Sequence, residues 1–187
     1  TVTRSVTVDI DLASGKIIYL TFDDGPGKYT EQLLDILAKH DIKATFFMVD
    51  TDYISLAQRI ANEGHTVAIH TATHKYSQIY ASEEAYFEDL QQMQTILADI
   101  TGQTTYLMRF PGGSSNIVSK NYSRGIMSRL TKAVVEEGFC YFDWNVDSKD
   151  AGGAKTAEQV YWNVINGVKQ NPYSVVLQHD IHGFSVD

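Results

Sequence analysis

Ile17-Ile18-Tyr19-Leu20-Thr21-Phe22-Asp23-Asp24-Gly25-Pro26 runs from an apolar strand into a turn and leaves two adjacent carboxylates where buried chain gives way to loop. Side-by-side carboxylates repel, and burial disfavours their ionised form, so a cation or a metal has to compensate at least one of them. Asp, Gly and Pro also dominate ordinary turns. The decapeptide alone therefore leaves a structural turn and a functional site both open.

Outward from this stretch the chain repeats one unit, an apolar strand followed by an amphipathic helix. A helix from Glu31 to His40 buries Leu33, Leu34 and Leu37, and Ala44-Thr45-Phe46-Phe47-Met48-Val49 returns as a strand. A helix over 54–63 ends at Gly64 before a strand over 66–70. A longer helix over 83–100 lines up Phe87, Leu90, Met93, Leu97 and Ile100 and stops before Gly102. Strand 105–110 follows, then a helix over 125–137 burying Ile126, Leu130 and Val134 and ending at Gly138, then strand 139–144 and a loop over Asp147–Gly153. Thr156-Ala157-Glu158-Gln159 is a capping-box pattern opening the next helix, and strand 174–179 closes the series. Six strands with intervening helices predict a parallel α/β fold, although periodicity does not separate an open sheet from a barrel. Val6, Val8, Ile10 and Leu12 alternate with polar residues and read as an extra edge strand. With no internal repeat or low-complexity segment, residues 1–187 read as a single domain.

Composition narrows the partners. The 187 residues are 43% hydrophobic and 20% charged, ordinary globular usage with enough chain for a sizeable core. The net charge is −8 with no Lys/Arg-rich run, which argues against nucleic acid and anionic membrane surfaces. No stretch is apolar enough to span a bilayer, and Thr1-Val2-Thr3-Arg4 lacks the apolar core of a signal peptide. The single Cys140 lies in Phe139-Cys140-Tyr141-Phe142 and reads as an inert core thiol.

Four further polar segments each adjoin an apolar run. His70-Thr71-Ala72-Thr73-His74 follows Val67-Ala68-Ile69, and histidines at i and i+4 share one face of a helical turn, a spacing that lets two imidazoles reach one ion. Two His and one carboxylate leave a coordination position open, as catalytic rather than structural metal sites do. The others are Arg109-Phe110-Pro111-Gly112-Gly113, Asp147-Ser148-Lys149-Asp150 and Leu177-Gln178-His179-Asp180. His40, in the last turn of its helix, and His65, after a capping glycine, read as structural.

With these five segments the chain resembles the family 4 carbohydrate esterases, the NodB-like polysaccharide deacetylases, whose ordered motifs read TFDDGP, H-[ST]-x-x-H, R-[PF]-P, DxxDW and LxH. All five are recognisable in order from Thr21 to His179. The resemblance implies an incomplete, irregular (β/α) barrel with the site at the carboxyl ends of its strands. It implies that Asp24, His70 and His74 hold one divalent metal, with Zn²⁺ the first choice and Co²⁺ or Ni²⁺ also suited to the set. Asp23 is then the general base, Arg109 its partner that keeps it ionised, His179 the general acid for the leaving amine, and Asp150 the carboxylate on the far nitrogen of His179. The Gly112 backbone N–H is the oxyanion donor, and Leu177, with Trp144 as a candidate, lines the acetyl pocket.

Two departures stand out. Ala151 replaces the Trp that ends DxxDW, so Trp144, Trp162 or Phe184, in that order, is expected to close the pocket; Gly112 replaces the Tyr common after the motif Pro. His182 is a further candidate for a sugar subsite. The implied activity is metal-dependent removal of N-acetyl groups from N-acetylglucosamine polymers, peptidoglycan first, with chitin or chito-oligosaccharide and acetylxylan as alternatives. A non-catalytic carbohydrate-binding relative is the reading from another class. The resemblance further implies a monomer acting on a polysaccharide at the surface of, or outside, a bacterial cell, with an anchor lying beyond this chain.

Overall fold

The computed structural model describes residues 15–187, so the strand expected over Val6 to Leu12 lies outside the described residues. The elements in chain order are β1 (Ile17–Asp23), α1 (Thr30–Lys39), β2 (Thr45–Met48), α2 (Ala57–Asn62), β3 (Thr66–Ile69), α3 (Tyr76–Ile79) and α4 (Glu83–Thr101). They continue with β4 (Leu107–Met108), α5 (Ile126–Glu136), β5 (Cys140–Tyr141), β6 (Val146–Asp147), α6 (Ala157–Gln170), β7 (Tyr173–His179) and α7 (Gly183–Val186).

The seven strands form one parallel sheet in the order β5-β4-β3-β2-β1-β7-β6, curled with its helices into an incomplete (β/α) barrel. β1 is central. It pairs with β7 along its whole length, from Ile17 opposite Tyr173 to Asp23 opposite His179, and with β2 from Thr21 to Asp23. Parallel strands need a crossover between neighbours, and helices supply most of these here. All seven strands therefore point their carboxyl ends at one rim.

The core lies between the sheet and the helices. Leu33, Leu34 and Leu37 of α1, Ile60 of α2, Leu90, Met93 and Leu97 of α4, and Leu130 and Val134 of α5 pack with Phe46, Met48, Ile69 and Met108 of the strands. Local chemistry fixes the helix ends. Ser82 accepts from the Ala85 N–H at the start of α4, and Gly102 ends it in the left-handed region at φ +72°. Thr156 caps α6 by accepting from the Gln159 N–H, but Gln159 reaches back to the Lys155 N–H rather than to that of Thr156, one residue off the expected box.

The sequence expectation differs from the structure in several places, the short helices α3 and α7 among them. The strand β6 was missed because it is two residues long with one apolar side chain, and strands 105–110 and 139–144 shrink to two residues each as the sheet curls away at its edge. The expected helix over 54–63 starts as a 3₁₀ turn, Ile54–Leu56. Cys140 is exposed, not a core thiol, because β5 is an edge strand and its neighbours Phe139 and Tyr141 are the residues of that stretch that turn toward the core.

Candidate metal centre and catalytic site

The histidine segment leaves β3 as a turn and not as the helix that its i,i+4 spacing suggested. His70 still follows the strand, its N–H donating to the Met48 carbonyl at 2.9 Å. His74 adopts φ +53°, and its N–H donates to the Thr71 hydroxyl at 3.1 Å. Asp89 of α4 holds the turn closed. Its carboxylate accepts from the Ala72 N–H (2.6 Å), the Thr73 N–H (3.0 Å) and the Thr73 hydroxyl (2.7 Å).

This turn faces both imidazoles toward Asp24, itself in the left-handed region at φ +69° just beyond β1. The Nε2 atoms of His70 and His74 lie 3.4 and 3.3 Å from Asp24 Oδ1, and one ligand atom from each of the three residues falls within 4.8 Å of the others. The Arg109 carbonyl 2.8 Å from His70 Nδ1 places the proton on that nitrogen and frees Nε2 for a cation. Burial pushes the His70 pKa down to about 3, so the imidazole is neutral, as a ligand must be. Asp24 Oδ1 is buried with no hydrogen-bond partner among the described residues. A buried, unpartnered carboxylate oxygen between two imidazole nitrogens fits a divalent cation.

Asp23 ends β1 beside this triad and is almost wholly buried. Arg109, fully buried just after β4, donates from one terminal nitrogen to Asp23 Oδ1 and to the Thr21 hydroxyl, both at 2.7 Å, and from Nε to the Phe142 carbonyl at 2.9 Å. Its guanidinium stacks between Phe47 and Trp144, 4.1 and 5.5 Å from their ring centroids. The pairing is as expected, but its electrostatic outcome is not. Burial raises the Asp23 carboxyl above the usual carboxylate range despite the downward pull of Arg109, His179 and His74. Arg109 thus limits a rise caused by burial and does not produce a net fall, and the result is a more basic carboxylate.

His179, opposite Asp23 at the end of β7, meets Asp150 from the loop after β6. Its Nδ1 lies 2.8 Å from Asp150 Oδ1, while its backbone N–H donates to Oδ2 at 2.6 Å. Burial alone would lower the His179 pKa, but Asp150, Asp24 and Asp23 outweigh it and raise it to about 9. Burial likewise opposes ionisation of Asp150, yet the bonds to His179 and from the Ser185 hydroxyl bring it down to about 2.

Gly112 lies exposed after Pro111 at φ +75°, and its N–H donates to no group among the described residues. Leu177 precedes His179 by two residues on β7 and so shares its face. Trp144 lies over Arg109 and would be 3.2 Å from a Cβ on Gly113, placing it at the rim. Trp162 lies on α6, half exposed beside Tyr161 and close enough to the Gly153 loop to share a surface hollow with it, while Phe184 stacks on His182 at 5.4 Å on the α6–α7 side. Ala151 itself is exposed. His65 is buried and its Nδ1 accepts from the Ala44 N–H, a structural role, and His40 is the exposed C-cap of α1.

Sequence reasoning missed Asp89, Ser185, Asp180 and Tyr76. Asp89 carried a signal, a lone carboxylate on the apolar face of α4 between Tyr86 and Met93. Asp180 is fully buried, accepts from the Thr30 hydroxyl at 2.5 Å, and is pushed up by burial to about 6. No helix among the described residues is long and apolar enough to cross a membrane.

The sequence profile of the family described as polysaccharide deacetylase matches residues 12–135. A peptidoglycan-N-acetylglucosamine deacetylase of Bacillus cereus is 39% identical over 179 residues, covering 91% of this chain and 62% of that protein. The chain spans about six tenths of the length of the curated relatives it matches first, 62, 58 and 56%. Among solved structures, the catalytic domain of a peptidoglycan N-acetylglucosamine deacetylase from Eubacterium rectale superposes with a TM-score of 0.91 at 55% identity, over 97% of this chain and 84% of that one. The polysaccharide deacetylase Bc1974 of Bacillus cereus gives 0.79 at 38% identity, over 91 and 82%.

Proposed function

This chain belongs to the polysaccharide deacetylase family, and on that footing we propose that it hydrolyses the N-acetyl groups of N-acetylglucosamine units in peptidoglycan. The observation that carries the reading is the convergence on one rim of a metal-ready Asp24–His70–His74 set, a carboxylate base held by Arg109 and a histidine held by Asp150. The names of the relatives support peptidoglycan over chitin as the glycan, and action on that polymer would put the work at the bacterial cell wall.

Asp24, His70 and His74 would hold the divalent cation, Zn²⁺ by the chemistry of the donors, with Co²⁺ and Ni²⁺ able to replace it. Bound there, the cation supplies Lewis-acid polarisation of the acetyl carbonyl and acidifies water beside it. Asp23, made basic by burial, accepts the proton of the attacking water, and Arg109 holds its carboxylate toward the site. The Gly112 N–H donates to the carbonyl oxygen as negative charge develops on it. His179, protonated at neutral pH, gives its Nε2 proton to the amine nitrogen as the C–N bond breaks, and Asp150 stabilises the imidazolium until then. Leu177 and Trp144 line the acetyl side.

Acetate release from purified peptidoglycan, chitin oligomers and acetylxylan, each with and without a chelator, tests this reading. Release from peptidoglycan, abolished by chelation and restored by Zn²⁺, is the expected result. Asp23→Asn should abolish release while zinc binding persists, because base and ligand are different carboxylates. Chelator-resistant release, or none from any glycan, overturns the proposal.

A further inference from the structure

Gly112 is one of the two positions where the chain departs from the motifs it resembles, and the space beside it is already filled. A Cβ built on Gly112 would lie 2.7 Å from the Tyr76 hydroxyl oxygen and 3.2 Å from Asn116 Cβ. Tyr76 opens α3, two residues beyond His74, and its ring meets the His74 imidazole edge-on at 5.6 Å. The other side of the ring is braced at 5.3 Å and 90° by Tyr80, whose own hydroxyl donates to the Pro111 carbonyl at 2.7 Å. Asn116 ties the same loop down by donating to the Gly113 carbonyl at 2.9 Å. The half-buried Tyr76 ring is thus wedged between a metal-ligand candidate and the loop bearing the oxyanion-donor candidate.

Its hydroxyl makes no hydrogen bond among the described residues. A phenol oxygen held this firmly, next to an exposed glycine with a free N–H, is a donor in want of an acceptor. We propose that Tyr76 is a further catalytic residue, its hydroxyl donating to the acyl oxygen of the substrate alongside the Gly112 N–H. This rests on the deacetylase reading above and deepens it. Glycine suits position 112, since a φ of +75° disfavours a side chain and a Cβ would press on the Tyr76 oxygen.

The test compares wild type with Tyr76→Phe, which keeps the ring against His74 and Tyr80 and deletes only the oxygen. Zinc affinity is measured by chelator competition, acetate affinity of the zinc-loaded protein by calorimetry, and kcat on acetylated oligomers. Zinc affinity should be unchanged. Acetate affinity and kcat should each fall roughly tenfold to a hundredfold, the loss expected for one hydrogen bond to a charged acceptor. Unchanged acetate affinity overturns the inference, and so does an equal fall in zinc affinity, which would make Tyr76 a prop for His74. Acetate affinity is read independently of turnover. A wild type that releases acetate from no glycan, yet loses acetate affinity on Tyr76→Phe, would sink the deacetylase reading while leaving the Tyr76 contact standing.

Discussion

Arg109 has no exposure to solvent, and its charge is tolerated because Asp23, Thr21, Phe142 and two aromatic faces surround it. Removing one partner of such a pair leaves the other buried and uncompensated. Arg109→Met should destabilise the fold by about 3–5 kcal/mol in urea titration, and the paired Asp23→Asn should cost no less, because the buried guanidinium it leaves behind cannot shed its charge whereas a stranded carboxyl can take up a proton. Arg109→Lys should recover little, since one ammonium cannot span Asp23 and Phe142 as the guanidinium does. The His179–Asp150 pair contributes two stabilising arms to the pH dependence of the metal-free chain. His179, raised from 6.5 to about 9, contributes stability that is complete below pH 6.5 and is lost as pH rises through about 9. Asp150, lowered from 3.8 to about 2, contributes stability present above pH 3.8 and lost as pH falls through about 2. In Asp150→Asn, a histidine proton titration by NMR should show the His179 midpoint falling from the raised value and the alkaline loss of stability flattening. The charged motif residues were legible in the sequence because their types announce chemistry. Ser185 and Tyr76 were not, because a hydroxyl acquires its role only from neighbours far off in the chain.

The elements show how the site is positioned from outside it. Asp89 belongs to α4 and closes the turn that spaces His70 from His74. Asp89→Ala should weaken zinc binding roughly tenfold or more while the far-ultraviolet spectrum stays native, and a variant with unaltered zinc affinity would remove Asp89 from that role. Lys16 works at the other end of the barrel. Its ammonium donates to the carbonyls of Val168, Lys169 and Asn171 at the C-terminus of α6, at 2.8, 2.5 and 3.1 Å. Lys16→Met should lower stability by about 0.5–1 kcal/mol, seen as a small fall in Tm with unchanged turnover. Strong periodicity made the long helices and the β1, β2, β3 and β7 strands legible before the structure. The two-residue strands β4, β5 and β6 were longer or absent in the sequence reading because their length is set by where the sheet curls, not by their residues. Cys140 was misplaced for the same reason.

For the whole molecule, the tightest constraint joins its two most distant motifs. Gly25 lies against the Asp180 carboxylate so closely that any Cβ would overlap it. Gly25→Ala should cost about 1–3 kcal/mol and lower turnover by moving the Asp23–Asp24 loop. Asp180→Ala in the same chain should recover part of that loss, and strictly additive effects on Tm would show that the two residues do not press on one another.

Seven parallel strands sharing one rim also have a consequence in time. Asp23 and His179 are brought opposite each other only when β7 docks along β1, a pairing that spans most of the chain. Contacts so far apart in sequence are among the last a folding chain can make, since the intervening length must be ordered before they are rewarded. Asp24, His70 and His74 all lie in the first half of the sequence, so a chain shortened before β7 would keep every candidate cation ligand and lack the acid candidate His179.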